Sequence, residues 1–102
     1  MRQMPFNKES EEGVLGSALL DPSIIGKLDV KPTDFYDRKN QMLWEVLLDM
    51  YIENPAMDAL MIGTELENRN MLESIGGYPR LSDLTNTIGV SAYSQHYAKE
   101  VK

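Results

Sequence analysis

Apolar residues fall in short runs at helical spacing, broken by prolines and small polar pairs. Pro5, Pro22, Pro32, Pro55 and Pro79 all stand between apolar stretches or at their starts. Proline lacks an amide donor and its ring clashes with the preceding turn, so these positions mark helix edges. The first stretch, Lys8 to Leu20, carries Val14, Leu15, Ala18 and Leu19 on one face. Asn7 is its cap, and Glu9, Glu11 and Glu12 are read as solvated charge on the positive end of the helix dipole. Gly13 and Gly16 in its middle predict close approach of a neighbouring element. Asp21-Pro22 is a stop and a restart, with Asp21 capping a short segment that presents Ile24, Ile25 and Leu28. Asp29 to Asp34 reads as a loop, and Phe35-Tyr36 as a structural aromatic pair beside Asp37.

Asp37 caps the strongest predicted helix, Arg38 to Glu53. Met42, Leu43, Val46, Leu47, Met50 and Tyr51 form a broad stripe, with Trp44 and Leu48 beside it. More than half the circumference is apolar, which predicts a central position. Asn54-Pro55 ends this helix, and Asp58 caps the next, Ala59 to Arg69, with Leu60, Ile62 and Leu66 inward. A short turn, Leu72 to Ile75, precedes Gly76-Gly77, which terminate it in left-handed conformations. Tyr78-Pro79 opens a segment carrying Leu81 and Leu84, and Thr85 to Val90 reads as a polar loop. Ser91 caps a last helix, Ala92 to Lys102, with Tyr93, Tyr97 and Val101 four apart. No strand-like alternation of useful length occurs. The expected fold is all-α, a single compact orthogonal bundle of about six short helices. One domain spans 1–102, with 1–6 as a flexible tail. Its core is expected to rest on Val14, Leu15, Leu19, Phe35, Leu43, Val46, Leu47, Met50, Leu66 and Leu84.

Charge narrows the function classes. Sixteen acidic residues against ten basic give a net charge of −6. Duplex-DNA binders draw most of their affinity from phosphate neutralisation, so this balance argues against one. The basic residues are scattered, Arg38-Lys39 being the one adjacent pair. The chain has no cysteine, which excludes disulfides, thiolate metal sites and a cysteine nucleophile. Neither a targeting segment nor an apolar run of membrane-spanning length is visible, and the default reading is a soluble intracellular domain.

Catalytic constellations are missing as well. His96, the sole histidine, has no second histidine or cysteine to work with and reads as an ordinary helix residue. Glycine-rich phosphate cradles are absent, so no nucleotide site is expected, and neither metal nor cofactor is assigned. Met42, Met50 and Met61 read as core filler. Met57 and Met71, at segment edges, and Tyr93 and Tyr97, on the last helix, are the candidates for contact with a protein partner.

The order of short motifs resembles the N-terminal domain of the replicative DnaB-family helicases. Pro5-Phe6-Asn7-Lys8-Glu9-Ser10-Glu11, then Val14-Leu15-Gly16-Ser17-Ala18-Leu19-Leu20-Asp21, is similar to that family's opening. Asp34-Phe35-Tyr36 matches its D-F-Y, and Leu43-Trp44, Val46-Leu47 and Met50 resemble its central helix. Asp58, the Leu66, Leu72, Ile75-Gly76-Gly77 series, Leu81, Leu84, and Tyr97-Ala98 with Val101 follow in family order. Asn40 stands where the family has histidine, Ala56 and Met61 where it has proline and threonine, and Tyr93 where it has asparagine.

The resemblance implies a collar domain without catalysis, and several expectations about its setting. ATP and magnesium belong to a separate C-terminal motor, which also makes the DNA contact. Partners are other helicase subunits in a hexamer, the primase C-terminal domain and a helicase loader. The compartment is the cytoplasm, in bacterial or phage replication. The chain is expected to be a head, either a fragment of a longer helicase or a stand-alone regulator mimicking the collar, and a monomer or weak dimer when isolated. A weak single-strand-binding module is the contrasting expectation from another class.

Overall fold

A computed structural model describes residues 8–87. The tail 1–6, the Asn7 cap and the helix expected from Ala92, with Tyr93, His96 and Tyr97, lie outside the described residues. Four α-helices follow in order: α1 (Lys8–Leu20), α2 (Arg38–Glu53), α3 (Ala59–Asn68) and α4 (Gly77–Thr87). Three 3-10 turns, Pro22–Gly26, Pro32–Asp34 and Glu73–Ile75, punctuate them, and the described residues contain no strand. The architecture is all-α as expected, with some of the anticipated short helices shortened to 3-10 turns.

Local chemistry sets the boundaries. The Asp21 carboxylate accepts from Ser23 N–H at 3.2 Å, with Pro22 opening the turn behind it. Asp37 accepts from Lys39 N–H at 2.8 Å and starts α2, and Asp58 accepts from Met61 N–H at 2.9 Å and starts α3. Each such cap contributes about 1 kcal/mol. Asn70 at φ 59° turns the chain out of α3. Gly76 and Gly77, at φ 111° and 75°, supply the left-handed step into α4, a conformation that costs a side-chain-bearing residue its Cβ clearance.

Helix α2 is the spine. Leu43, Trp44, Val46 and Leu47 are all sealed from solvent, and Trp44 lies inside the core itself. Its indole N–H donates to Val30 O at 2.9 Å, which satisfies the polar edge of an otherwise apolar ring. Phe35 packs against it, ring centroids 5.7 Å apart. Val14, Leu15, Ala18 and Leu19 of α1, Ile24, Ile25 and Val30 after it, Met57 ahead of α3, Ile62 and Leu66 within α3, then Ile75, Leu81 and Leu84, complete the core. The packing runs α1 along α4, with α2 bridging the 3-10 turns and α3.

Several expected positions differ. Met50 is only half buried, packed on the core's edge. Leu60 is 74% exposed: it precedes Ile62 by two residues, about 200° around a helix, so the two cannot share the inward face. Met61 also faces outward, and so does Tyr36, whose partner Phe35 takes the buried site because the extended backbone there alternates its side chains. Asp29 to Asp34 is not all loop, since Asp34 turns back to accept from Lys31 N–H at 2.8 Å and closes a 3-10 turn. Thr85 to Thr87 continue α4 rather than opening a loop, the Thr85 hydroxyl bonding back to Ser82 O at 2.9 Å.

Candidate docking surface

Two features flank α4. The first is a buried polar clasp. Glu11, expected in solvent, is fully buried. Its carboxylate accepts from the backbone N–H of Tyr36 at 2.6 Å, from Asn40 Nδ2 at 2.8 Å and, at 3.4 Å, from Asp37 N–H. The Asn40 carbonyl oxygen in turn accepts from the Arg80 guanidinium. Arg80 also donates to Ile75 O at 3.1 Å and lies 3.9 Å from Glu12. Buried polar groups are tolerated when each finds a partner, and here the partners come from α1, α2 and α4. Asn40 must give a hydrogen to Glu11 and take one from Arg80. A neutral imidazole has the same donor–acceptor pair, so the histidine that the resemblance implies at this position would meet the same demand.

Gln41 Nε2 donates to Phe35 O at 2.7 Å, so the Phe35-Tyr36 backbone is gripped from both sides. Phe35 is driven into the core while Tyr36 stands 67% exposed.

The second feature is an apolar groove on the opposite side of α4. Leu19, Ala59, Leu60, Tyr78, Leu81, Ser82 and Thr85 line a volume of about 340 Å³. Tyr78 lies against Gly63, where a Cβ would fall 2.6 Å from Tyr78 Cε1. That glycine is buried beneath the ring. The Tyr78 hydroxyl donates to Glu67 at 3.0 Å. This bond to a carboxylate, reinforced by desolvation and by the negative charge of Glu67, holds the phenol above its ordinary pKa. The ring is therefore fixed at both ends although nearly half of it faces water.

Neither methionine singled out in the sequence as a partner contact lines this groove. Met57 is 4% exposed and belongs to the core, and Met71 is half buried against it. Tyr93 and Tyr97 lie outside the described residues. Leu60, Tyr78 and Gly63 were not singled out as surface features. Two signals were available for them: the phase of Leu60 against Ile62, and a glycine inside a helix, which permits close approach. No group of three or more acidic, histidine or cysteine side chains poised for a metal occurs among the described residues. No helix among them is long and apolar enough to cross a membrane.

The described residues thus define an all-α domain that carries a polar clasp on one side of its last described helix and an apolar groove on the other. The chain belongs to the DnaB-like helicase N-terminal domain family, whose model matches residues 3–102. It is 32% identical to the replicative DNA helicase DnaC of Bacillus subtilis over 103 aligned positions, covering 99% of this chain and 23% of that protein. It is 33% identical to the replicative DNA helicase DnaB of Mycobacterium leprae, covering 95% of this chain and 16% of that protein. The chain therefore spans less than a quarter of the length of these relatives. The crystal structure of the N-terminal domain of DnaB helicase from Mycobacterium tuberculosis superimposes with a TM-score of 0.88 at 34% identity, over 97% of this chain and 70% of that one.

Proposed function

We propose that this domain serves as the N-terminal collar of a replicative DNA helicase, assembling with its counterparts in the ring and docking primase or a helicase loader. The carrying observation is the family match across residues 3–102, supported by the M. tuberculosis N-terminal domain at a TM-score of 0.88. In this reading the work is protein–protein recognition. ATP, magnesium and the DNA track belong to the motor of such a helicase, which acts in the cytoplasm where replication proceeds. The acidic balance of this domain suits that division, since a collar gains nothing from phosphate neutralisation.

Titration calorimetry of the full-length helicase with the cognate primase C-terminal domain tests the docking half. Saturable binding is expected. Absence of binding by the full-length helicase overturns it. Ring assembly is tested separately by light scattering, where a full-length protein that stays monomeric at micromolar concentration overturns the collar reading.

A further inference from the structure

We infer that the groove walled by Leu60 and Tyr78 receives an amphipathic helix with a cationic flank, contributed by a partner protein; the inference deepens the docking reading and rests on it. Three observations carry it, beginning with shape. The groove opens between the end of α1, the start of α3 and one face of α4, and its walls include Leu60 at 74% and Tyr78 at 46% exposure. Walls that project into water cover little of a small molecule, but they interlock with the side-chain ridge of a helix.

The second observation is pre-organisation. Tyr78 is seated on Gly63 and tethered to Glu67, so it loses little side-chain freedom when covered. Fixed aromatic rings of this kind are favoured at the energetic centre of protein interfaces. The Thr85 hydroxyl is bonded back to Ser82 O, and the Ser82 hydroxyl lies 3.5 Å from Asn86 Nδ2, so both polar groups of the lining are engaged within α4.

Charge selects the partner. Helix α3 contains no lysine or arginine. The one cation of α4, Arg80, is turned to the opposite side and bonded to Asn40 and Ile75. Glu67 stands instead at the Tyr78 hydroxyl, on the edge of the groove, while the Asp58 carboxylate is taken up as the cap of α3. An apolar seat with the Glu67 carboxylate at one edge complements a helix that pairs leucine-type anchors at i, i+3, i+4 and i+7 with lysine or arginine alongside.

Calorimetric titration of the 102-residue chain with three synthetic peptides tests the inference. The probes are an amphipathic leucine–lysine helix, a shuffled isomer of the same composition, and a leucine–glutamate helix. The first is expected to bind at a single site, and the other two not. Leu60→Glu adds negative charge at an exposed position, so an association that is merely electrostatic would tighten. A seated helix instead loses about tenfold or more in affinity. Ile52→Glu, at an exposed site on α2, leaves binding unchanged. Equal binding of the shuffled isomer, or undiminished binding by the Leu60→Glu protein, overturns the assignment. So does sedimentation showing that a second copy of the chain fills the groove, or proteolytic removal of 88–102 creating the peptide site. The docking reading fails separately: if the primase domain binds full-length helicase and Leu60→Glu leaves that binding intact while the peptides do not bind, docking stands and the groove assignment falls.

Discussion

Glu11 and Ser17 both lie buried in α1, and their polar atoms fare differently. The Glu11 carboxylate takes three donors from a segment more than twenty residues away, whereas the Ser17 hydroxyl oxygen has no hydrogen-bond partner. Glu11→Ala therefore removes the acceptor of two part-buried backbone N–H groups and of the buried Asn40 amide. A loss of about 2–4 kcal/mol is expected, read as a lowered urea midpoint at unchanged slope. Ser17→Ala removes an unanswered hydroxyl and keeps a good helix former. A gain of about 1 kcal/mol is expected, a rise of roughly 4–8 °C in thermal midpoint for a domain of this size. A Ser17→Ala protein that melts lower would show that the hydroxyl is answered after all.

At the scale of elements, the contact between α3 and α4 depends on one missing side chain. Gly63 lets the Tyr78 ring lie on the helix backbone and places its hydroxyl at Glu67. Gly63→Ala gains up to about 1 kcal/mol of helix propensity but forces the half-exposed ring aside. The expected outcome is a folded protein of equal or higher thermal midpoint in which the Tyr78 phenol titrates closer to its ordinary value of about 10, followed by carbon NMR of the ring. The sign follows from the tether. A phenolate beside Glu67 is disfavoured, so the folded pKa is raised. The stabilisation this bond supplies is complete below the unfolded pKa and disappears as pH rises through the folded one. Glu67→Gln should lower the Tyr78 pKa in the same way, and an unaltered titration in both variants would contradict the tether.

For the molecule as a whole, what the sequence discloses divides by the range of the interaction. The span of α2 is readable because Asp37 caps it and Asn54-Pro55 stops it, both within a few residues of the ends they define. The caps at Asp21 and Asp58, and the left-handed Gly76-Gly77 step, are local for the same reason. Glu11 escapes that reading. An acid in the first turns of a helix has a sufficient local explanation in the dipole, and its buried role exists only once α2 arrives. Met57 likewise stands at a segment edge in sequence yet inside the core in space. The groove was least accessible, because the fixed pose of Tyr78 requires α3 and α4 to be brought together first. Family motifs located the fold, but they did not name the residues that meet a partner.

The clasp has a consequence for how the domain comes apart. Glu11 joins the start of α1 to the start of α2, and Arg80 joins both to α4 through Asn40. Helix ends usually fray one by one, each at little cost to its neighbours. Here the opening turns of α1 cannot loosen without stripping the acceptor from Tyr36 N–H and the donor's partner from Asn40, which in turn supports Arg80. Local opening of one end is thereby coupled to the others, and the three helices should exchange their amide hydrogens as a single cooperative unit.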